Sequence, residues 1–169
     1  MDNNLVSIGS ANSVNRTRSA KVAYTGIAMF VINFIVPGTP IAKGRPKFRR
    51  IGKFVSTYSP KKTMDYETLV STAARKAMGD QEPLETPLSL YLYISMPIPD
   101  SYSKKRRADC LIGTEQHTKR PDADNILKCV EDSMNGIVYK DDSQIVNLHV
   151  RKLYAEHAQV EIVVSEHLP

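Results

Sequence analysis

Acidic side chains crowd a single stretch of this chain, residues 119–144 (KRPDADNILKCVEDSMNGIVYKDDSQ), and Lys128 lies among them. Two aspartates follow a proline, a lysine comes one helical turn later, and an aspartate pair lies beyond an Asn-Gly turn: Asp122, Asp124, Lys128, Asp141 and Asp142. The chain as a whole is basic, with a formal net charge of +5. An acidic cluster in a basic chain is what a site for hard cations and polyanions requires.

The residue types suit phosphodiester chemistry. Mg²⁺ prefers carboxylate oxygens, waters and phosphate oxygens as ligands. Three aspartates around one or two such ions can activate water and stabilise the leaving oxygen of a phosphodiester. A neighbouring lysine can balance the negative charge that develops in the transition state. The stretch therefore predicts a metal-dependent nuclease.

A helix must position the first three of these groups. Apolar residues recur at helical spacing after Pro121, at Ala123, Ile126, Leu127, Val130 and Met134, and Asn135-Gly136 predicts the helix end. Asp122 and Asp124 then lie at the helix N-terminus, where either could instead be a simple cap, and Lys128 could instead form a salt bridge with Asp124. The aspartate pair could equally be a solvated turn. These residues alone do not choose between Asp141 and Asp142.

Other patterns in the sequence predict the β-sheet on which this helix packs. Strands are expected over residues 21–36, 88–96, 137–139, 146–154 and 160–164, and a second helix from Ser59-Pro60 to Gly79. We therefore predict an α/β (α+β) fold with a mixed β-sheet and two main helices. A flexible tail over residues 1–20 and one domain over residues 21–169 complete the organisation.

The remaining composition indicates a cytoplasmic protein with no membrane partner. The apolar run Ile27–Val36 is interrupted by Asn33 and is far shorter than the roughly 20 residues of a membrane span. A signal peptide is the alternative for this run, but the proline-rich segment that follows is a poor cleavage site. The two cysteines, Cys110 and Cys129, are too few for a disulfide framework and are expected to be reduced thiols. His117 has no metal-spaced partner and is expected at the surface.

Two basic segments are candidates for DNA contact. Residues 43–62 contain no acid, and aromatic residues are interleaved with the cations, which suits a phosphate backbone and exposed bases. Residues 102–118 form either a short exposed helix or a mobile loop without a clear core. The candidate DNA contacts are Lys43, Arg45, Lys47, Arg49, Arg50, Lys104, Lys105, Arg106 and Arg107. The alternative for both segments is a solvated surface.

These motifs together resemble the RusA family of Holliday junction resolvases, from about Phe34 to the C-terminus. The resemblance rests on the motifs PGTP, KGRP, TYSP, PDADN with Lys128, and YKDDSQ, in this order. It implies a RusA-like fold and a homodimer that binds branched DNA and nicks four-way junctions symmetrically with Mg²⁺, for which Mn²⁺ is a possible substitute. Its metal-binding, catalytic aspartates match Asp122, Asp124 and Asp142, and its catalytic lysine matches Lys128. The resemblance also implies a role in recombination and repair, in a bacterial or phage-infected cell.

Two other classes of protein compete with this interpretation. A non-catalytic DNA-binding module would use the acids only as caps and turns. A metal nuclease acting on other branched DNA would share the chemistry but not the substrate. A PD-(D/E)-x-K nuclease ranks last, because no Asp/Glu-x-Lys strand follows Pro121-Asp122.

Overall fold

The structure is a computed structural model that describes residues 18–24, 27–45, 47–51, 54–58 and 60–167. Its elements in chain order are β1 (Arg18–Tyr24), β2 (Ile27–Pro37), β3 (Lys47–Ile51), β4 (Phe54–Tyr58), α1 (Lys61–Met78), β5 (Leu88–Pro97), α2 (Lys104–Leu111), α3 (Ala123–Met134), a 3₁₀ turn (Asp142–Gln144), β6 (Ile145–Ala155) and β7 (Gln159–Glu166). The expected tail up to residue 17 lies outside the described residues. The strand β1 begins at Arg18, three residues before the expected domain start.

Five strands form one mixed sheet in the order β1–β2–β7–β5–β6, and β3 and β4 form a separate hairpin. Only β5 and β6 pair in parallel within the described sheet. A parallel pair needs a long crossover, and here the crossover carries α2, α3 and the 3₁₀ turn. The parallel pairing therefore brings the acidic stretch to the start of β6.

The two main helices cover one face of the sheet, as the mixed-sheet prediction required. Alternate residues of β5, from Leu88 to Ile94, are fully buried beneath them. Val70 of α1 and Ile126 of α3 are likewise inaccessible to solvent and belong to the same core. Because each helix presents a single apolar stripe to the sheet, its opposite face is left for charged residues.

The helix bounds agree closely with the sequence signals. The helix α3 spans Ala123–Met134, and Asn135 is its C-cap as the Asn-Gly pair predicted. Gly79 ends α1 with φ +58°, and its N–H donates to the Arg75 carbonyl. The start of α1 differs by one residue, because Pro60 occupies the N-cap and not the first helical position. The expected cap Ser59 lies outside the described residues.

One expectation about strands was wrong, and another was confirmed with an exposed first half. Residues 137–139 form a buried turn with an isolated bridge at Tyr139. The N–H groups of Ile137 and Val138 donate to the Met134 carbonyl at the end of α3, and the Gly136 N–H donates to the Tyr139 carbonyl. The strand β6 is where the alternation placed it, but Val146 and Leu148 are 59% and 47% exposed. This strand is an edge of the sheet.

The basic insertion has a small core of its own, contrary to expectation. Residues 104–111 form α2, whose N-cap Ser103 accepts a hydrogen bond from the Arg106 N–H. Buried side chains of the insertion pack with the end of β6 in a cluster of Ile98, Tyr102, Cys110 and Tyr154. The insertion is therefore anchored to the sheet immediately before the chain enters α3. Among the described residues, no helix is long and apolar enough to cross a membrane.

Candidate active site

The helix start presents two aspartates to solvent. Asp122 is the N-cap of α3 in an extended conformation, yet its side chain makes no capping hydrogen bond. Asp124 lies in the first turn, and both residues are exposed. The Asn125 amide donates to Asp124 Oδ1 over 3.3 Å. The capping alternative therefore does not apply to the Asp122 side chain, which is left available for a ligand.

A lysine from β6 fixes the chain that leads into this helix. Lys152 Nζ donates to the carbonyl oxygens of Lys119 and Pro121, over 2.9 Å and 2.8 Å. The Arg120-Pro121 peptide bond is cis. The second carbonyl belongs to the residue directly before Asp122, so Lys152 ties the position of Asp122 to the sheet.

The structure assigns the two adjacent aspartates different tasks. Asp141 is the N-cap of the 3₁₀ turn, accepts the Ser143 N–H over 2.9 Å and forms a capping box with Gln144. Asp142 instead accepts a hydrogen bond from Lys128 Nζ over 2.6 Å. The Asp141 carboxylate is therefore engaged within the turn, whereas the Asp142 carboxylate faces Lys128. The alternative in which Lys128 pairs with Asp124 does not apply, because Lys128 contacts Asp142 and not Asp124.

Lys128 also contacts a residue that the sequence interpretation passed over. Its Nζ lies 3.0 Å from Oδ1 of Asp132, one turn further along α3. Hydrogen bonds to Asp142 and then to Asp132 raise the pKa of Lys128, so its ammonium form is stabilised. The (i, i+4) spacing of Lys128 and Asp132 was visible in the sequence and is a standard helical ion pair.

Lys43 extends this set of ion pairs beyond α3. Its Nζ lies 3.0 Å from the other carboxylate oxygen of Asp132 and also pairs with Glu67 of α1. No local sequence signal indicated these contacts, because Lys43, Glu67 and Asp132 lie on three separate segments of the chain. The role of Lys43 as a DNA contact stays a prediction, but its ammonium group is held by two carboxylates.

A further carboxylate lies near the same contacts. Burial first, and then the charges of Asp142 and Asp132, raise the pKa of Glu131, while Lys128 partly opposes the shift. The backbone carbonyl of Glu131 accepts the buried Tyr139 hydroxyl over 3.1 Å. The outward face of α3 thus carries more acid than the sequence analysis assigned to the site.

The carboxylates provide the donor type that Mg²⁺ prefers. Among the described residues, however, no three side chains of Asp, Glu, His or Cys lie close enough together to hold one metal ion. Asp142 is engaged by Lys128, and Asp122 and Asp124 face solvent at the helix start. The described residues therefore supply suitable donors without an assembled ligand set.

The residues predicted to contact DNA differ in whether their side chains already bind other groups of the protein. Lys104 and Lys105 are exposed on α2, whereas Arg106 binds Glu115 through two nitrogens and lies 3.7 Å from the Tyr102 ring centroid. Arg107 donates to the Pro99 carbonyl over 3.3 Å. Arg45 is exposed, and the backbone of β3 carries Lys47, Arg49 and Arg50, whose side chains lie outside the described residues.

The expectation that His117 lies at the surface was wrong. Its side chain is buried against the Tyr154 ring, with 4.6 Å between ring centroids. Burial, and then the nearby Lys152 charge, lower the pKa of His117. His117 is therefore a neutral packing residue of the insertion, and its lone position in the sequence gave no sign of this.

Comparison with known proteins identifies a family for this chain. The family model for endodeoxyribonuclease RusA matches residues 37–165, which include all four residues predicted to be catalytic. The uncharacterized protein YqaN of Bacillus subtilis (strain 168) is 36% identical over 141 residues, covering 82% of this chain and 98% of that protein. The crossover junction endodeoxyribonuclease rusA of Lactococcus phage r1t is 44% identical over 50 residues, covering 29% of this chain and 38% of that protein. The chain belongs to the RusA endodeoxyribonuclease family.

Proposed function

We propose that this chain is a Mg²⁺-dependent endonuclease that resolves Holliday junctions by paired, symmetric nicking, in recombination and repair. The observation that carries the proposal is the 2.6 Å contact between Lys128 and Asp142. It joins two of the residues selected from sequence for phosphodiester chemistry, although they lie 14 positions apart on different elements. The family model supports a DNA nuclease, and the crossover junction activity named for the phage relative supports the junction as substrate.

The side chains take distinct roles in this proposal. Asp122, Asp124 and Asp142 would supply carboxylate oxygens to Mg²⁺ or Mn²⁺, and the bound ion would supply Lewis-acid stabilisation of phosphate oxygens. Lys128 would bring a fixed positive charge to the phosphate as negative charge develops on it. The raised pKa of Lys128 keeps that charge in place at neutral pH.

The basic segments would deliver the polyanion to this acidic site. Lys104 and Lys105 are the exposed cations of the insertion, and Arg45 precedes the β3–β4 hairpin that carries further cations. The side chains of Arg106 and Arg107 already bind other groups of the protein. They would therefore contribute to the positive electrostatic potential around α2 and not to direct DNA contacts. Contacts of this kind weaken with salt, because DNA binding releases condensed counterions.

A second copy of the chain is part of the proposal. A four-way junction has two-fold symmetry, and paired nicks at symmetric positions require two equivalent sites. A homodimer provides these sites with one protein. We place this activity in the cytoplasm of a bacterial or phage-infected cell, where branched DNA arises.

The decisive experiment compares cleavage of a synthetic four-way junction with cleavage of a linear duplex of the same sequence, with and without Mg²⁺. We expect paired nicks in the junction only when Mg²⁺ is present. Equal cutting of both substrates would contradict junction selectivity, and cutting of other branched DNA alone would favour the alternative nuclease. Junction binding without cleavage in any divalent ion would favour a non-catalytic module.

A single substitution tests whether Asp124, at the start of α3, belongs to the active site. Asp124→Asn removes one negative charge from an exposed position and should abolish nicking while leaving junction binding intact or slightly tighter. Asp65→Asn is the matched control, because it makes the same change at an exposed position of α1. Turnover by Asp124→Asn at the rate of the control would remove Asp124 from the site.

A further inference from the structure

Five charged side chains of alternating sign form one continuous network across the site. The order of contacts is Glu67–Lys43–Asp132–Lys128–Asp142. The residues come from α1, the segment before β3, the body of α3 and the 3₁₀ turn. Three acids and two lysines give the network a net charge of −1.

Asp132 is the central member, and each of its carboxylate oxygens contacts a different lysine. Oδ1 lies 3.0 Å from Lys128 Nζ, and Oδ2 lies 3.0 Å from Lys43 Nζ. The second contact fixes the rotation of the carboxylate and thereby aims Oδ1 at Lys128. Asp132 is also partly shielded, with a side chain 28% exposed, so its ion pairs are screened less than those at the open surface.

Asp142 and Asp132 both contact Lys128, but they differ in how many lysines they bind. Asp142 has a single lysine partner in the network, whereas the charge of Asp132 is balanced by two. A cation that binds Asp142 would compete with Lys128 for that carboxylate. The contact between Asp132 and Lys128 does not involve the Asp142 carboxylate, so such a cation would not compete for it directly.

Lys43 is likewise better placed to act within the protein than on DNA. Its ammonium contacts Glu67 and Asp132, and its backbone N–H donates to the Asn125 carbonyl over 2.8 Å. The next residue, Gly44, passes so close to α1 that a Cβ there would lie 2.7 Å from Cγ of Pro60. The segment is thus packed between α1 and α3, and its lysine points at their shared charges.

We infer that Asp132 is a positioning residue, which holds the Lys128 ammonium at the site, and that Lys43 acts through Asp132 by fixing its carboxylate. The inference rests on the proposed function for its catalytic consequence. Its structural content, that Asp132 orders Lys128 without help from Asp142, holds for the protein without metal or DNA. The two parts are therefore tested by separate measurements.

The first test is structural and needs no catalysis. In metal-free protein, NMR of the ¹⁵N-labelled lysine ammonium groups reports which of them are held in ion pairs, and loss of a signal in Lys128→Arg assigns that of Lys128. The Lys128 signal should persist in Asp142→Asn and disappear when Asp132→Asn is added. Loss of the Lys128 signal in Asp142→Asn alone, or its persistence in the double variant, would overturn the inference. This outcome does not depend on whether the protein is a nuclease.

The second test is kinetic and uses four-way junction cleavage in Mg²⁺. Asp132→Asn should lower kcat by about 10- to 100-fold, as for supporting residues around metal sites, with KM for the junction nearly unchanged. Asp132→Glu should recover part of the loss, because it retains a carboxylate one turn from Lys128. The control Asp65→Asn should match the wild type, and an unchanged kcat in Asp132→Asn would refute a positioning role.

The role of Lys43 is decided by a double-variant comparison. If Lys43 acts through Asp132, Lys43→Met combined with Asp132→Asn should be no slower than Asp132→Asn alone. If Lys43 contacts DNA instead, Lys43→Met should weaken junction binding in both backgrounds and reduce the salt dependence by about one phosphate contact. Should Asp132→Asn fail to fold, Lys43→Met alone must mobilise the Lys128 ammonium signal for the inference to stand.

Discussion

Replacement of Lys152 tests how the entrance to α3 is held. Lys152 Nζ donates to the carbonyl oxygens of Lys119 and Pro121, over 2.9 Å and 2.8 Å, and these are the contacts that precede Asp122. Lys152→Met keeps most of the aliphatic stem and removes only the ammonium group. The two carbonyl oxygens then lose their charged donor, and the loop that carries Asp122 is freed from β6.

The magnitude follows from the two hydrogen bonds. A hydrogen bond to a charged group contributes about 1.5–3 kcal/mol net, but the bond to Lys119 is exposed and water can replace it. The bond to Pro121 is partly buried and should keep its full contribution. We therefore expect Lys152→Met to lower the free energy of unfolding by about 2 kcal/mol. For a chain of this length that corresponds to a fall in Tm of about 4–8 °C.

The assay is urea denaturation of the metal-free protein, with Arg151→Met as control. Arg151 is the adjacent, exposed residue of the same strand, and its side chain forms no hydrogen bond or ion pair with the described residues. If the proposed function holds, Lys152→Met should also slow junction nicking, because Asp122 is no longer fixed. Equal stability of the two variants would refute the proposed tie between β6 and the helix start.

Two further substitutions test other packing claims. The lowered pKa of His117 means that the folded state favours the neutral ring, so wild-type stability should fall as pH drops below the ordinary value of 6.5. Thermal denaturation between about pH 8 and 5 should show a flatter pH dependence for His117→Phe, and equal slopes would contradict burial of a neutral ring. Gly44→Ala would place a methyl group 2.7 Å from Pro60 Cγ and 2.9 Å from Thr63 Oγ1, so we expect a loss of about 1–3 kcal/mol in urea denaturation. Wild-type stability in Gly44→Ala would show that the segment relaxes without cost.

Local signals were sufficient for α3. The helix bounds Ala123–Met134 follow from a proline before the start, an apolar stripe and an Asn-Gly pair at the end. Each of these signals acts over a few residues, so tertiary context did not override them. The family resemblance was also confirmed, because its motifs are spread over most of the matched residues 37–165.

Long-range ion pairs could not be predicted in the same way. Lys43 and Asp132 are 89 positions apart, and only the docking of the segment before β3 on α1 and α3 brings them together. The prediction of a strand at residues 137–139 was wrong for a related reason. Three apolar residues in a row indicate burial but do not specify a strand. The small core of the insertion depends on Tyr154, which lies on β6, far along the chain.

The contact between Lys128 and Asp142 depends on two elements, α3 and the 3₁₀ turn, that are held in place by separate contacts. Lys128 lies on α3, which is held against β5 by buried residues such as Ile126. The turn that carries Asp142 is held by Gln144, whose amide donates to the carbonyl oxygens of Leu84 and Thr86, over 2.9 Å and 3.0 Å. Both elements are therefore anchored in the core that includes β5 or at the segment just before β5, which makes this part of the sheet the common reference for the site. The same Gln144 completes the capping box that occupies Asp141, and this is why the turn leaves Asp142 to face the lysine.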